Sequence, residues 1–290
     1  FPGVEVGGSS SMKSSNIGGQ AVMEGVMMRN ADKYAVAVRK TDGEIVVKTE
    51  EYKGIVQNKK IRSLPIIRGV FSFIDSMVLG MSTLTYSASF FMDEEEEEKD
   101  EKKESVMMGL TIACSVVMAV AIFMILPYFL SQLFRKFTDS TTLITLLEGA
   151  VRLVIFFGYI LLISRMKDIQ RTFMYHGAEH KCINCVEHGL PLTVENVMAS
   201  SRQHKRCGTS FLFLVMLVSI CLHFVFVLVP GYWVRLFGRL LMVPVVSGIS
   251  FEIIQWAGRT DTKFADMMSK PGLAMQKLTT KEPTADMAEV

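Results

Sequence analysis

Phe211–Val229 reads FLFLVMLVSICLHFVFVLV, an apolar run with no Lys, Arg, Asp or Glu. Crossing the hydrocarbon of a bilayer takes ~20 mostly apolar residues, so this run reads as a spanning helix. Three further runs share its length and character: Arg239–Ala257 downstream, and Leu146–Ser164 and Val106–Leu130 upstream. Apolar residues make up 50% of the chain, and their clustering into four blocks separates it from an ordinary globular domain. The expectation is an α-helical polytopic membrane protein with four spanning helices across 106–257. The net charge of +2 excludes little by itself.

The distribution of charge says more. The segment between the second and third runs carries Arg165, Lys167, Arg171, Lys181, Arg202, Lys205 and Arg206, and the tail 258–290 carries Arg259, Lys263, Lys270, Lys277 and Lys281. Ser131–Thr145 and Pro230–Gly238 carry few cations. Short Lys/Arg-rich loops stay on the cytoplasmic side, so both termini and the loop 165–210 are expected there. Thiols remain reduced in that compartment, and the five cysteines read as ligands or plain thiols.

That loop contains Tyr175–Phe211, YHGAEHKCINCVEHGLPLTVENVMASSRQHKRCGTSF. His176 and His180 in the H-x-x-E-H spacing lie one turn apart on one helix face, where two ligands of one metal must be. Glu179 beside them is placed to activate a water. His204-x-x-Cys207 supplies a second donor pair, brought back to the membrane by the third run. Cys185 is a further ligand candidate. The helix of the second run is expected to continue unbroken to His176, and Thr193 is expected to cap a helix over Val194–Arg202. His188 before Gly189 reads as a helix C-terminal residue. In the spans, His223 reads as a hydrogen-bonded packing residue. Glu252 reads either as a downstream metal carboxylate or as an acid paired with Arg152.

Toward the N-terminus, Phe1–Ser11 (FPGVEVGGSSS) reads as an added leader ending in a Gly/Ser linker, with Met12 as the natural start. Residues 12–62 are expected to hold a small antiparallel β-sheet. Alternation in Tyr34–Lys40 and Glu44–Thr49 around Asp42-Gly43 predicts a hairpin within it. Glu24 reads as a solvated strand residue or as a carboxylate near the site. Residues 63–92 are apolar but interrupted by Arg68 and Asp75, which suits an interfacial or re-entrant helix, or one packed on the sheet, rather than a span. The acidic run in 93–105 reads as a solvated linker. No P-loop, dinucleotide fingerprint or nucleophile elbow occurs. The basic loops have too few aromatics to argue for nucleic acid.

The motifs GGQAVMEGVMMR, YHGAEHK-x-x-N-C, H-x-R-C-G-T-S-F and P-V-V-x-G-I-S-F-E resemble the bacterial YqhQ family of membrane proteins, which carries a label as predicted metal-dependent enzymes. The resemblance runs from Ile17 to about Pro283. It implies that His176, Glu179, His180, Cys185, His204 and Cys207 belong to the shared pattern and that the chain resides in the bacterial plasma membrane. Cys182 falls outside that pattern, which weakens a Cys182-x-x-Cys185 zinc knuckle.

Two functions follow as expectations. One is a membrane-embedded metal-dependent hydrolase at the cytoplasmic face. There His176 and His180 bind zinc or another divalent metal, Glu179 is the catalytic base, and His204, Cys207 or Glu252 completes the ligand set. The other is a non-catalytic oligomeric scaffold or transport protein with a structural zinc site closed by four ligands. A third arrangement has no metal and leaves the histidines as caps. The expected partners are the bilayer, a lipid-linked molecule or membrane-proximal peptide as substrate, and a second copy of the chain.

Overall fold

The computed structural model describes residues 15–91, 101–229, 231–260 and 262–290. Phe1–Ser11, expected to be an added leader, and most of the acidic run lie outside the described residues. The N-terminal region is a four-stranded antiparallel sheet, β1 (Ile17–Val22), β2 (Gly25–Asn30), β3 (Lys33–Arg39) and β4 (Ile45–Glu51), in the order β1-β2-β3-β4. The turn residues Glu24 and Ala31 have φ of +52° and +53°, and Gly43 of the expected hairpin has φ of +89°.

Period-two alternation gives the sheet two covered faces. Val22, Met27, Tyr34, Val36 and Val38 pack on Leu79 of α2 (Ile67–Ala88). Ala21 and Val26 pack on Tyr175 and Met287, from α6 (Lys167–Glu187) and the C-terminal α12 (Ala285–Glu289). The short α1 (Lys59–Ser63) precedes α2. Asp75 of α2 is 1% exposed, and it accepts bonds from Ile55 N at 2.8 Å, Tyr52 Oη at 3.2 Å and the Arg62 guanidinium. The charge that interrupts this apolar stretch is therefore neutralised within the fold.

The remaining helices are α3 (Glu101–Val120), which continues through a π-helical turn into α4 (Leu126–Gln132), then α5 (Thr141–Ile163), α7 (Val194–Ala199), α8 (Gly208–His223), α9 (Tyr232–Leu241), α10 (Val243–Arg259) and α11 (Lys263–Thr279). Four helical runs among the described residues are long and apolar enough to cross a membrane: Ile67–Phe91, Val106–Lys136, Thr141–Ile163 and Gly208–Val227. Trp233–Leu241 and Val243–Ala257 together form a fifth candidate bent by 43°. Both ends of this set differ from the sequence expectation. Ile67–Phe91 is long and apolar enough to span where an interfacial, re-entrant or sheet-packed helix is expected, and Arg239–Ala257, expected as one helix, breaks at Met242 just before Pro244, whose ring cannot donate an amide N–H.

The helix after α5 also breaks, where an unbroken one was expected. Met166 has extended backbone, φ −73° and ψ 131°, and α6 restarts from it. Phe156 and Ile160 of α5, Met216 of α8 and Met275 of α11 form the core between these helices. A charged knot lies deeper. The Glu148 carboxylate receives Arg152 Nη2 at 3.0 Å and also Arg239 of α9. Arg152 Nη1 donates to Ser219 Oγ at 3.0 Å and to His223 Nδ1 at 3.2 Å, so His223 is a hydrogen-bonded packing residue. Arg239 also stacks over Tyr128, 4.8 Å from the ring centroid. The knot pins α9 against α5.

Candidate metal centre

The site is built on α6, where an i,i+4 spacing brings the two imidazoles of His176 and His180 together edge to face, with centroids 4.4 Å apart. Cys207 joins them from the N-cap of α8, where its sulfur accepts from Thr209 N at 3.4 Å. The Cys207 Sγ to His176 Nε2 distance is 3.3 Å, and the donor atoms of His176, His180 and Cys207 all lie within 4.8 Å of one another. Ligands of a tetrahedral zinc, at ~2.0–2.3 Å from the ion, stand roughly 3.3–3.8 Å apart. The three donors therefore need only small side-chain rotations to close on one ion.

Backbone carbonyls fix both imidazoles. His176 Nδ1–H donates to Thr279 O at 2.9 Å and His180 Nδ1–H donates to Arg202 O at 2.7 Å. A carbonyl only accepts, so each neutral ring carries its proton on Nδ1 and turns the Nε2 lone pair toward the sulfur. This is the support that metal-bound histidines ordinarily have. The segments that provide it are themselves held by α6. The Lys281 carbonyl packs directly on Gly177, where a side chain has no room, and Lys281 N bonds Phe173 O at 2.9 Å, so the tail runs along the helix. Lys181 Nζ donates to Met198 O and Ser200 O at 2.7 and 2.9 Å, and Asn184 Nδ2 to Ser201 O and Gln203 O at 2.6 and 3.0 Å. One helix therefore presents two ligands on one face and ties down the loop that supports them.

Glu179 Oε2 stands 3.7 Å from His176 Nε2 and 3.8 Å from His180 Nε2, too far for direct hydrogen bonds. Burial pushes its carboxyl up to about 7, and the neighbouring His176 acts weakly in the other direction. Its cover is β1. A Cβ on Gly19 would come within 2.7 Å of Glu179 Cγ and Oε1. Gly19 is exposed and His176 retains 15% side-chain exposure, while His180 has 1%. The group thus opens between β1 and His176.

The other sequence candidates do not join the three converging donors, although the His204 ring lies 5.9 Å from the His180 ring, centroid to centroid. His204 Nε2–H donates to Glu187 Oε2 at 3.3 Å, and Gln276 clamps its backbone, accepting from His204 N at 2.9 Å and donating to His204 O at 2.7 Å. Glu187 also accepts from Ser15 N and Oγ at 2.9 Å and from Arg206. Burial works against its ionisation, yet these donors outweigh burial and hold the carboxyl down at about 2. Cys185 is fully buried among Val197 and Ala288, its sulfur facing Leu190 O and Pro191 O. Glu252 accepts from Arg68 Nε at 2.6 Å, joining α10 to α2, and not from Arg152. Glu24 pairs with Arg171, Nη2 at 2.5 Å, and joins the β1–β2 turn to α6. Sequence reasoning did not find Gly19, Glu187, Gln276 or the carbonyls of Thr279 and Arg202. Of these only Gly19, in a Gly-Gly pair, left a mark in the sequence.

A sheet-capped helical protein with a His/His/Cys group beside a buried glutamate is the class that fold and site define. Residues 64–290 match the family model described as a protein of unknown function (DUF1385). The chain is 37% identical over 285 residues to the uncharacterised protein YqhQ of Bacillus subtilis (strain 168), covering 94% of this chain and 89% of that one. The chain belongs to this family. No solved structure matches it.

Proposed function

We propose that the chain is a metal-dependent hydrolase embedded in the bacterial plasma membrane, with its site at the cytoplasmic face. The observation that carries this reading is the triad of donors: His176, His180 and Cys207 converge, both imidazoles with Nε2 turned inward, while His204 is engaged by Glu187. Three protein donors match the count of catalytic zinc sites, whereas structural sites use four. A zinc-class ion held there supplies Lewis acidity to the reacting carbonyl or phosphoryl group. The residues of the chain do the rest. Glu179, buried and titrating near neutral pH, takes a proton from the attacking water and returns it to the leaving group. Thr279 and Arg202 hold the imidazoles in the ligating tautomer. Glu187 and Gln276 fix the loop that carries Cys207.

The membrane setting rests on the apolar helices and on the basic loops at one side. In this placement α2 lies along the interface, because Leu79 to Ser87 pack on the polar-edged sheet. Reporter fusions at Thr138 and Trp233 should then read outside and at Asn184 inside. An outside signal at Asn184 contradicts the topology.

Metal analysis of purified protein should find about one ion per chain, lost in His176→Ala or His180→Ala. Glu179→Gln should keep the metal and the oligomeric state while abolishing rescue of a deletion strain. If Glu179→Gln rescues fully and His180→Ala loses the fold or assembly, the protein is a scaffold with a structural metal.

A further inference from the structure

Resting on the hydrolase reading, we infer that the substrate is an extended segment of polypeptide, bound as an added strand on the outer edge of β1 beside Glu179. The pairing register runs Val22↔Gly25, Gln20↔Met27 and Gly18↔Arg29 from the two-residue turn. In an antiparallel ladder the bonding direction alternates, so Gly18, Gln20 and Val22 face β2, and the N–H and C=O groups of Ile17, Gly19 and Ala21 face away from it. The ends of this edge are closed, since Ile17 N donates to Ser15 Oγ at 3.2 Å and Met23 N to Ser87 Oγ at 3.0 Å. Between them, among the described residues, no hydrogen bond reaches the outward groups of Gly19 and Ala21.

The edge is also bare. Gly18 and Gly19 are both exposed, and a Cβ on Gly18 would meet nothing within 4 Å. Proteins guard exposed edges with charges, proline or bulges, because an open edge recruits other strands. The opposite edge is guarded in this way: β4 exposes Lys48, Glu50 and Glu51. The β1 edge carries no such guard over Gly18–Ala21, and it is the edge that borders the site. Alternating amide donors and acceptors recognise another backbone, which a lipid-linked substrate does not offer. A strand added here lies ~4.8 Å from β1. Gly19 touches Glu179, which brings that strand's peptide bonds alongside the carboxylate.

The test uses the zinc-loaded full chain in detergent with three probes: acetohydroxamate, the acetylated tetrapeptide Val-Ala-Val-Ala bearing a C-terminal hydroxamate, and the same peptide N-methylated at alternate amides. The parent peptide should bind about tenfold tighter than its N-methylated analogue. In Ala21→Pro both peptides should bind more weakly by a similar factor, with the preference between them retained and acetohydroxamate binding unchanged, because proline removes the outward N–H that donates to a peptide carbonyl and leaves the strand's outward carbonyls to accept from the peptide N–H groups. Should Ala21→Pro fail to fold, the peptide pair on the unaltered chain still decides. Equal binding of the two peptides overturns the edge-strand proposal alone and leaves the metal site standing. Failure of acetohydroxamate to bind zinc-loaded protein refutes the hydrolase reading and, with it, this proposal.

Discussion

Gly18 and Gly19 form a matched pair of positions for testing how closely β1 covers the Glu179 carboxylate. Both are exposed residues of the same strand with ordinary negative-φ backbone, so alanine is conformationally acceptable at each. Their surroundings differ. At Gly18 a Cβ meets nothing within 4 Å, and at Gly19 it meets Glu179 Cγ and Oε1 at 2.7 Å and the backbone carbonyl of Met27 at 2.9 Å. Neither neighbour of Gly19 can yield freely, since one is strand backbone and the other is buried against two imidazoles. Overpacking of this kind costs about 1–3 kcal/mol. Replacing glycine in a compatible conformation returns about 0.4–1 kcal/mol through the unfolded chain. Gly18→Ala should therefore be neutral or slightly stabilising. Gly19→Ala should lose about 1–2 kcal/mol net and push the Glu179 carboxylate off its position. The assay is thermal unfolding of both variants in detergent, alongside metal content and rescue of a deletion strain. Gly19→Ala should melt lower, keep its metal and lose rescue, while Gly18→Ala matches the parent. Equal behaviour of the two variants in all three readouts refutes the placement of β1 over Glu179.

Glu148→Ala removes the carboxylate shared by Arg152 and Arg239 and leaves two guanidinium groups at 3% and 5% exposure without their acid. Breaking a buried pair in this way costs about 3–5 kcal/mol, and the loss should appear as reduced accumulation and a lower melting temperature in detergent. Glu187 titrates at about 2 in the fold against 4.5 as a free side chain. A depressed acid contributes stability above its unfolded value and loses it as pH falls through the folded one, so up to roughly 3 kcal/mol should disappear between pH 4.5 and 2. Unfolding followed across that window should show the loss, and Glu187→Gln should flatten it.

The sheet was legible because its alternation and the Asp42-Gly43 turn are local signals, and the small antiparallel sheet expected within residues 12–62 is present over Ile17–Glu51. The long apolar helices were legible for the same reason. Ile67–Phe91 was ambiguous because composition cannot say that Asp75 is neutralised by Arg62 and by the amide of Ile55. In the candidate site, the H-x-x-E-H spacing is itself helix geometry, so the pairing of His176 with His180 follows from the helix alone. His204 shows where spacing stops informing. Only the fold decides which way residues 200–207 turn, and Glu187 and Gln276 hold His204 turned to Glu187. The partners of Glu252 and Glu24 lie far along the chain, at Arg68 and Arg171, and no local pattern announces them. The carbonyls of Thr279 and Arg202 are backbone atoms, which have no side-chain signature.

In the proposed site two imidazoles and one thiolate hold a single metal ion with a position left for substrate. X-ray absorption of the purified, zinc-loaded full chain reads that ligand set. The spectrum should show about one zinc per chain with one sulfur at ~2.3 Å and light N/O ligands at ~2.0–2.1 Å, the sulfur contribution vanishing in Cys207→Ser. A protein that retains no zinc, or a zinc shell that carries no sulfur or is unchanged in Cys207→Ser, contradicts that ligand set.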